Sequence, residues 1–237
     1  LGKTSAIGLG CMGMSYAYGA ADEQENIKVL NRAIDIGSTF WDTAISNEIL
    51  LSKVLKERRN EVFLCTKFAF SLGQNGEISI LDTVGALAEL VKEGKIKYLV
   101  LSECSAETLR CAYKVHPIAA IQMEYSPWAL DIEKNGVLEA CRELGVTAVA
   151  YSPLGHGFLT GKYKYIDDFE PNDFRRTIPR FQGENFNKNL EIVHKFNEFA
   201  RKIHLSPEEI SEIRKIIDSI EIFGDRYNEQ LLKLLDG

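Results

Sequence analysis

Residues 39–51 read TFWDTAISNEILL. An aromatic, β-branched run enters a carboxylate, Asp42, and a helical pattern opens about six residues later. A charge at the end of an apolar strand is costly unless it is paired or solvated, so Asp42 marks a strand end at which something polar happens. The arrangement recurs outward in both directions. Short apolar runs are SAIGLGCM (5–12), STFWDTA (38–44), EVFLCTKFAF (61–70), IKYLVLSE (96–103), IAAIQMEYS (118–126) and VTAVAYSPL (146–154). Their near-continuous apolarity predicts strands buried on both faces. Between them lie helical periods. Ile27, Leu30, Ala33 and Ile34 share one face before a stop at Gly37; Val84, Leu87, Leu90 and Val91 do so before Gly94; Val137, Leu138, Cys141 and Leu144 before Gly145.

Strands that alternate with helices of this length form a parallel sheet with helical crossovers. Composition does not shift along the chain and no linker interrupts it, so residues 1–237 read as a single α/β domain. The last third is helical. NFNKNLEIVHKFNEFARKI (185–203) is one helix, and LSPEEISEIRKIIDSI (205–220) another. The second is predicted to open on a capping box, with Ser206 at the N-cap and Glu209 reaching back.

Composition narrows the function. The net charge is -6, with no basic block or stripe, which argues against nucleic acid and anionic membrane as partners. No apolar run nears the roughly 20 residues of a membrane span. The first residues, LGKTSAIGLG, lack the pattern of a signal peptide. Five cysteines form no C-x-x-C pair, which fits reduced thiols and a cytoplasmic setting. The four histidines show no metal-ligand spacing, so no metal is expected.

GLGCMG (8–13) matches the dinucleotide fingerprint G-x-G-x-x-G through Gly8, Gly10 and Gly13. The fingerprint works only when its last glycine opens a helix whose N-terminus holds a pyrophosphate. Here MSYAYGAA intervenes before a helix begins near Asp22. The stretch is therefore read as a strand end whose glycines allow a ligand close to the backbone.

Polar residues stand where successive strands stop: Asp42, Lys67, Ser102 with Glu103, Gln122 with Glu124, and Tyr151 with Ser152. Sites built from the C-terminal ends of several parallel strands are the habit of (β/α)8 barrels. A lysine beside an aspartate can favour the phenolate of a neighbouring tyrosine and so tune it as an acid toward a carbonyl oxygen. The plainer reading is a structural ion pair.

At these residues the chain resembles the aldo-keto reductases. It is most similar to the fungal and plant members that include pyridoxal reductases and perakine-reductase-like enzymes. The stretches that carry the resemblance are GLGCMGMS, FWDTA, NEILLSKVLKERRNEVFLCTKF, LVKEGKIKYLVLSE, HPIAAIQMEYSPW, GVTAVAYSPLGHGFLTGKY and PRFQGENFNKNL, in family order from the N-terminus to about residue 200. The resemblance implies a (β/α)8 TIM barrel that reduces aldehydes or ketones with NADPH. It places the catalytic pair on Asp42 and Lys67. It places cofactor contacts on Gly13, Met14, Ser102, Gln122, Tyr151, Ser152, Leu154 and Gly157. Ser102 and Gln122 would hold the nicotinamide carboxamide, Tyr151 would stack on its ring, and Ser152, Leu154 and Gly157 would follow the pyrophosphate. Trp128 would line the substrate pocket, and His156 stands where relatives carry arginine. The implied partner is a small carbonyl compound, and the implied state a monomer or weak homo-oligomer. Tyr151 and Trp128 can also be read as core aromatics, and Ser102 as a residue near a helix cap.

The chain departs from the family where the chemistry is densest. The family's catalytic tyrosine lies in a loop after Asp42, but no tyrosine occurs between Tyr18 and Tyr98. The strand bearing the family's catalytic histidine and the segment for the adenosine 2′-phosphate have no counterpart. Six of eight strands can be counted. The chain therefore reads as joined across absent family segments near residues 45–47, 72–81 and 203–206. The alternatives are a shortened, inactive protein and a nicotinamide-binding regulatory subunit.

Overall fold

A computed structural model describes residues 4–15, 17–67, 80–199, 206–219, 221–229 and 232. The chain divides into two compact units, one made of Leu1–Ser71 with Phe169–Arg176, the other of Leu72–Asp168 with Thr177–Gly237. Each carries a three-stranded parallel sheet whose strands follow sequence order.

The first unit runs β1 (Leu9–Gly10), α1 (Glu23–Asp35), β2 (Phe40–Asp42), α2 (Glu48–Arg58) and β3 (Phe63–Cys65). Register sets Gly10, Asp42 and Cys65 abreast at the strand ends. Helix α1 starts where its sequence says, because the Asp22 carboxylate accepts the backbone N–H groups of Gln24 and Glu25. Its apolar stripe, Leu30, Ala33 and Ile34, meets Leu50, Leu51 and Val54 of α2 in one buried cluster with Trp41 of β2. Fully burying side chains of this size contributes about 1.5–3 kcal/mol each. Trp41 keeps its indole N–H satisfied by donating to the Ser38 carbonyl at 3.0 Å. Segment Phe169–Arg176 attaches through Arg175, whose guanidinium lies over the Tyr18 and Phe169 rings and pairs with Asp173.

The second unit contains α3 (Ile80–Lys92), β4 (Val100–Ser102), α4 (Ala106–Val115), β5 (Ala120–Glu124), α5 (Asp131–Lys134), α6 (Val137–Leu144), β6 (Thr147–Tyr151), α7 (Gly183–Phe199) and α8 (Pro207–Ser219). Its core joins Leu109 and Ala112 of α4, Ile121 and Met123 of β5, and Val137, Ala140 and Cys141 of α6. The helix stops read from sequence hold: Gly37, Gly94 and Gly145 all take left-handed backbone.

One expectation needs correction. Burial on both faces holds for β5, every residue of which is buried, whereas β4 and β6 expose alternate or successive residues. Of these three strands only β5 is paired on both sides among the described residues, and the alanines and threonine of β6 read as apolar without requiring burial. At the start of α8 the Ser206 hydroxyl donates to the carboxylate of Glu208, and the capping-box partner read from sequence, the side chain of Glu209, lies outside the described residues. Of the three discontinuities read from sequence, 45–47 is a single 3-10 turn, Ile45–Asn47, and those at 72–81 and 203–206 fall almost wholly outside the described residues.

Candidate functional site

In the first unit the polar strand ends converge. Lys67 follows β3 by two residues, and its ammonium donates to the Asp42 carboxylate at 2.5 Å and to the Thr43 carbonyl at 3.2 Å. The side chains are 39% and 23% exposed, so the pair is open to a reactant. The backbone beneath is fixed: Cys11 N–H donates to the Asp42 carbonyl at 2.8 Å and Thr43 N–H to the Cys65 carbonyl at 2.9 Å. Asn47, which the sequence reading missed, is fully buried and donates its amide to the Cys11 carbonyl at 2.8 Å. It therefore pins β1 to the turn that follows Asp42. Burial, with Asp42 adding to it, pushes the Cys65 thiol up to about 11 and the Cys11 thiol up to about 12. Neither is a thiolate near neutral pH.

Two of the three fingerprint glycines stand hard against neighbouring groups. A side chain at Gly8 would meet the Phe40 carbonyl at 2.8 Å, and one at Gly13 the Tyr18 ring at 2.7 Å; only Gly10 faces open space. The turn Met12–Met14 is a 3-10 turn, so no helix follows the last glycine. Met14 packs against the core of this unit, and its carbonyl accepts from the Asn26 amide.

In the second unit Ser102 and Gln122 lie abreast on β4 and β5. Ser102 is exposed and Gln122 largely buried, and neither side chain has a hydrogen-bond partner among the described residues. The cap of α4 is Ser105, not Ser102. Beyond them Glu103 turns into left-handed backbone and accepts the Glu124 N–H at 2.8 Å. Arg226 then bridges both carboxylates, at 3.1 Å to Glu103 and 3.3 Å to Glu124. These three side chains are 14%, 8% and 2% exposed, so the charges sit almost entirely out of water. Burial would raise the Glu124 carboxyl, but the bonded His156 and the charges of Arg226 and Arg180 outweigh it and hold Glu124 ionised.

Tyr151 ends β6 level with Glu124, and its hydroxyl is bonded to that of Tyr227 at 2.7 Å. Burial first, then Tyr227 and the two carboxylates, drive the Tyr151 phenol far up, so it stays neutral. The loop after it is built of left-handed residues, Ser152, Gly155, His156 and Gly157. Ser152 lies 3.3 Å from His156 Nδ1, and Leu154 points out to solvent.

Trp128 is a core residue. It stacks on Phe158, meets Phe181 edge-on and is fully buried, where a substrate-pocket wall was expected. The expectation failed because an aromatic near strand ends reads alike whether it lines a cleft or fills the space beneath it. Arg226 and Tyr227 escaped the sequence reading too. Their only signal is a polar, aromatic stretch, GDRYNEQ, after α8, in a position where polar residues are ordinarily solvated.

The sequence pattern of the Aldo/keto reductase family matches residues 6–79 and 74–212. The chain belongs to this family. An aldo-keto reductase named str7 from Strobilurus tenacellus is 46% identical over 252 residues, 87% of this chain and 75% of its own length. The aldo-keto reductase yakc [NADP(+)] of Schizosaccharomyces pombe is 41% identical over 253 residues, 87% of this chain and 74% of its own. Solved aldo-keto reductases share the fold. The glycerol dehydrogenase AKR11B4 from Gluconobacter oxydans superposes with a TM-score of 0.71 at 23% identity, covering 98% of this chain and 86% of that one. An aldo-keto reductase from Klebsiella pneumoniae, solved in complex with NADPH, gives 0.63 at 20% identity and covers 95% of both chains.

Proposed function

We propose that this protein reduces aldehydes or ketones to alcohols with NADPH, and that Asp42 and Lys67 govern proton delivery to the carbonyl oxygen. The observation that carries the reading is the Asp42–Lys67 ion pair, formed at the ends of β2 and β3 in a chain of this family and left open to a reactant. The fold inferred is the (β/α)8 barrel, supported by two parallel sheets in sequential order, which is the order such a barrel requires. The two matched stretches of the family pattern overlap at residues 74–79, within the 72–81 stretch read from sequence as a join.

The residues present fit a nicotinamide cofactor. Ser102 and Gln122 offer unpartnered polar groups side by side, as a carboxamide would need. Tyr151 offers a neutral ring at the next strand end. The left-handed turns at 152–157 form the kind of backbone concavity that suits a phosphate oxygen. When bound, the cofactor supplies hydride. The carbonyl oxygen then needs a proton, and the charge of Lys67, held in place by Asp42, favours negative charge developing beside it. In this reading the acid is a tyrosine tuned by the Asp42–Lys67 pair, and that tyrosine is not among residues 43–97 of this sequence. The substrate is a small carbonyl compound, and the protein acts in the cytoplasm as a monomer or weak homo-oligomer, without nucleic acid or membrane. No helix among the described residues is long and apolar enough to cross a membrane.

The direct passage from β2 through one 3-10 turn into α2 favours a second reading, a nicotinamide-binding module without turnover. Following NADPH oxidation against a panel of aldehydes and ketones separates the two. Turnover is expected, and Lys67→Met should lower kcat at least about 100-fold, roughly 2.7 kcal/mol of transition-state stabilisation. NADPH binding without turnover in the wild type would move the assignment to the second reading. Unchanged hydride transfer in Lys67→Met would remove the pair from the mechanism.

A further inference from the structure

Residues 221–228 form neither helix nor strand, yet they are fixed at every step. Asn189 brackets Phe223, donating its amide to the Phe223 carbonyl at 2.8 Å and accepting the Phe223 N–H at 3.0 Å. Gly224 takes left-handed backbone hard against Pro179 and Arg180, and its carbonyl accepts from Arg180 Nε at 3.1 Å. Arg226 then clasps Glu103 and Glu124 and approaches Asp131 at 3.7 Å. Every anchor leads to the next residue, Tyr227, whose hydroxyl meets that of Tyr151 at 2.7 Å. The residues clasped are those just past Ser102 and Gln122 on β4 and β5, so one segment ties together the strand ends of the carboxamide contacts and the ring at the end of β6.

We infer that Tyr227 is a positioning residue for the nicotinamide platform: its hydroxyl, delivered by the segment that Arg226 clasps, fixes the ring of Tyr151. The inference rests on the proposed function, in which Tyr151 stacks on the nicotinamide. A tyrosine at a strand end is fixed by its backbone at one end only, and the torsion about its ring is soft. A bond to the hydroxyl fixes the other end. Burial drives both phenols up, so both stay neutral and the bond persists across the working pH range.

The test is Tyr227→Phe in the full chain, which keeps the ring and removes only the hydroxyl. NADPH affinity is read by fluorescence titration, beside that of 2′-phospho-ADP-ribose, which lacks the nicotinamide. The loss of one buried hydrogen bond should weaken NADPH about 3- to 10-fold and leave the truncated ligand within about 2-fold. Unaltered NADPH affinity, or equal weakening for both ligands, would overturn the inference, since the second result marks a general structural role. Tyr151→Ala is the control. If it weakens NADPH while Tyr227→Phe does not, the positioning role fails and the cofactor reading stands. If the wild type does not bind NADPH, or Tyr151→Ala binds it equally well, the cofactor reading itself fails and the inference falls with it.

Discussion

Two charge clusters, one from each unit, are held in opposite ways. In the first, one ammonium meets one carboxylate at the edge of solvent, supported by backbone and by a buried asparagine. In the second, one guanidinium lies between two nearly dehydrated carboxylates, with an imidazole on the far side of one of them. A half-exposed pair exchanges readily with water and with a reactant, and contributes about 0–1 kcal/mol to folding. A buried pair costs heavily to desolvate, and breaking it strands a charge. The first arrangement suits a group that must act; the second suits one that must stay put.

That contrast is easiest to break with one substitution in each unit. Arg226→Met leaves Glu103 and Glu124 facing each other in a buried site and should cost about 3–5 kcal/mol in urea unfolding. Lys67→Met, the variant expected to lower kcat at least about 100-fold, should cost about 1 kcal/mol or less by the same measurement. Equal losses would mean that the Asp42–Lys67 pair is structural after all. A small loss in Arg226→Met would mean that the second network contributes no more than a surface pair.

A glycine from each unit sharpens the comparison. Gly37 and Gly224 both take left-handed backbone, at φ values of 81° and 83°. Nothing lies within 4 Å of a side chain added at Gly37, whereas one at Gly224 would meet Asn185, Pro179 and Arg180 at 2.8–2.9 Å. Gly37→Ala should therefore cost only the backbone strain, about 1 kcal/mol, and Gly224→Ala about 2–3 kcal/mol, strain and clash together. Both are read from denaturant midpoints. If the two cost the same, the segment that carries Arg226 and Tyr227 is not seated as tightly as its contacts imply.

These residues also show what the sequence discloses. Asp42 and Lys67 were legible because a charge that ends an apolar run is conspicuous, and parallel pairing of sequential strands leaves few places for it to go. The helices were legible from Asp22 and from the glycines at 37, 94 and 145, because caps and stops act over a few residues. Asn47, Arg226 and Tyr227 were not. Each works by reaching a partner far along the chain, Cys11, Glu103 and Tyr151, and nothing local marks a polar residue that will be buried by a distant one. Trp128 was misplaced for the converse reason: its identity announces burial or a cleft wall, and only the surrounding phenylalanines decide which. The (β/α)8 reading drew on strand order, which sequence supplies well, and on strand number, which among the described residues stops at six.

Exposure should also grade the ion pairs inside one unit, which gives the smallest expected effect. Glu133 of α5 accepts both arms of Arg214 from α8, at 2.9 and 2.6 Å, and the Tyr125 hydroxyl at 2.5 Å. Arg214 first, then Tyr125, hold its carboxyl down to about 2. A carboxyl whose folded value lies below its unfolded value of about 4.3 adds stability that is present above that value and lost as pH falls through the folded one. Arg214 is 45% exposed and Glu133 19%, so solvent screens the pair well beyond what Arg226 experiences. Wild type should exceed Glu133→Gln by about 1 kcal/mol or less at neutral pH, and the gap should close between about pH 4.5 and pH 2. Raising salt at neutral pH should narrow it as well. Urea unfolding across that pH range checks the sign. A gap that stayed constant down to pH 2 would assign the difference to packing and not to charge, and a gap as large as that of Arg226→Met would show that burial does not rank these pairs.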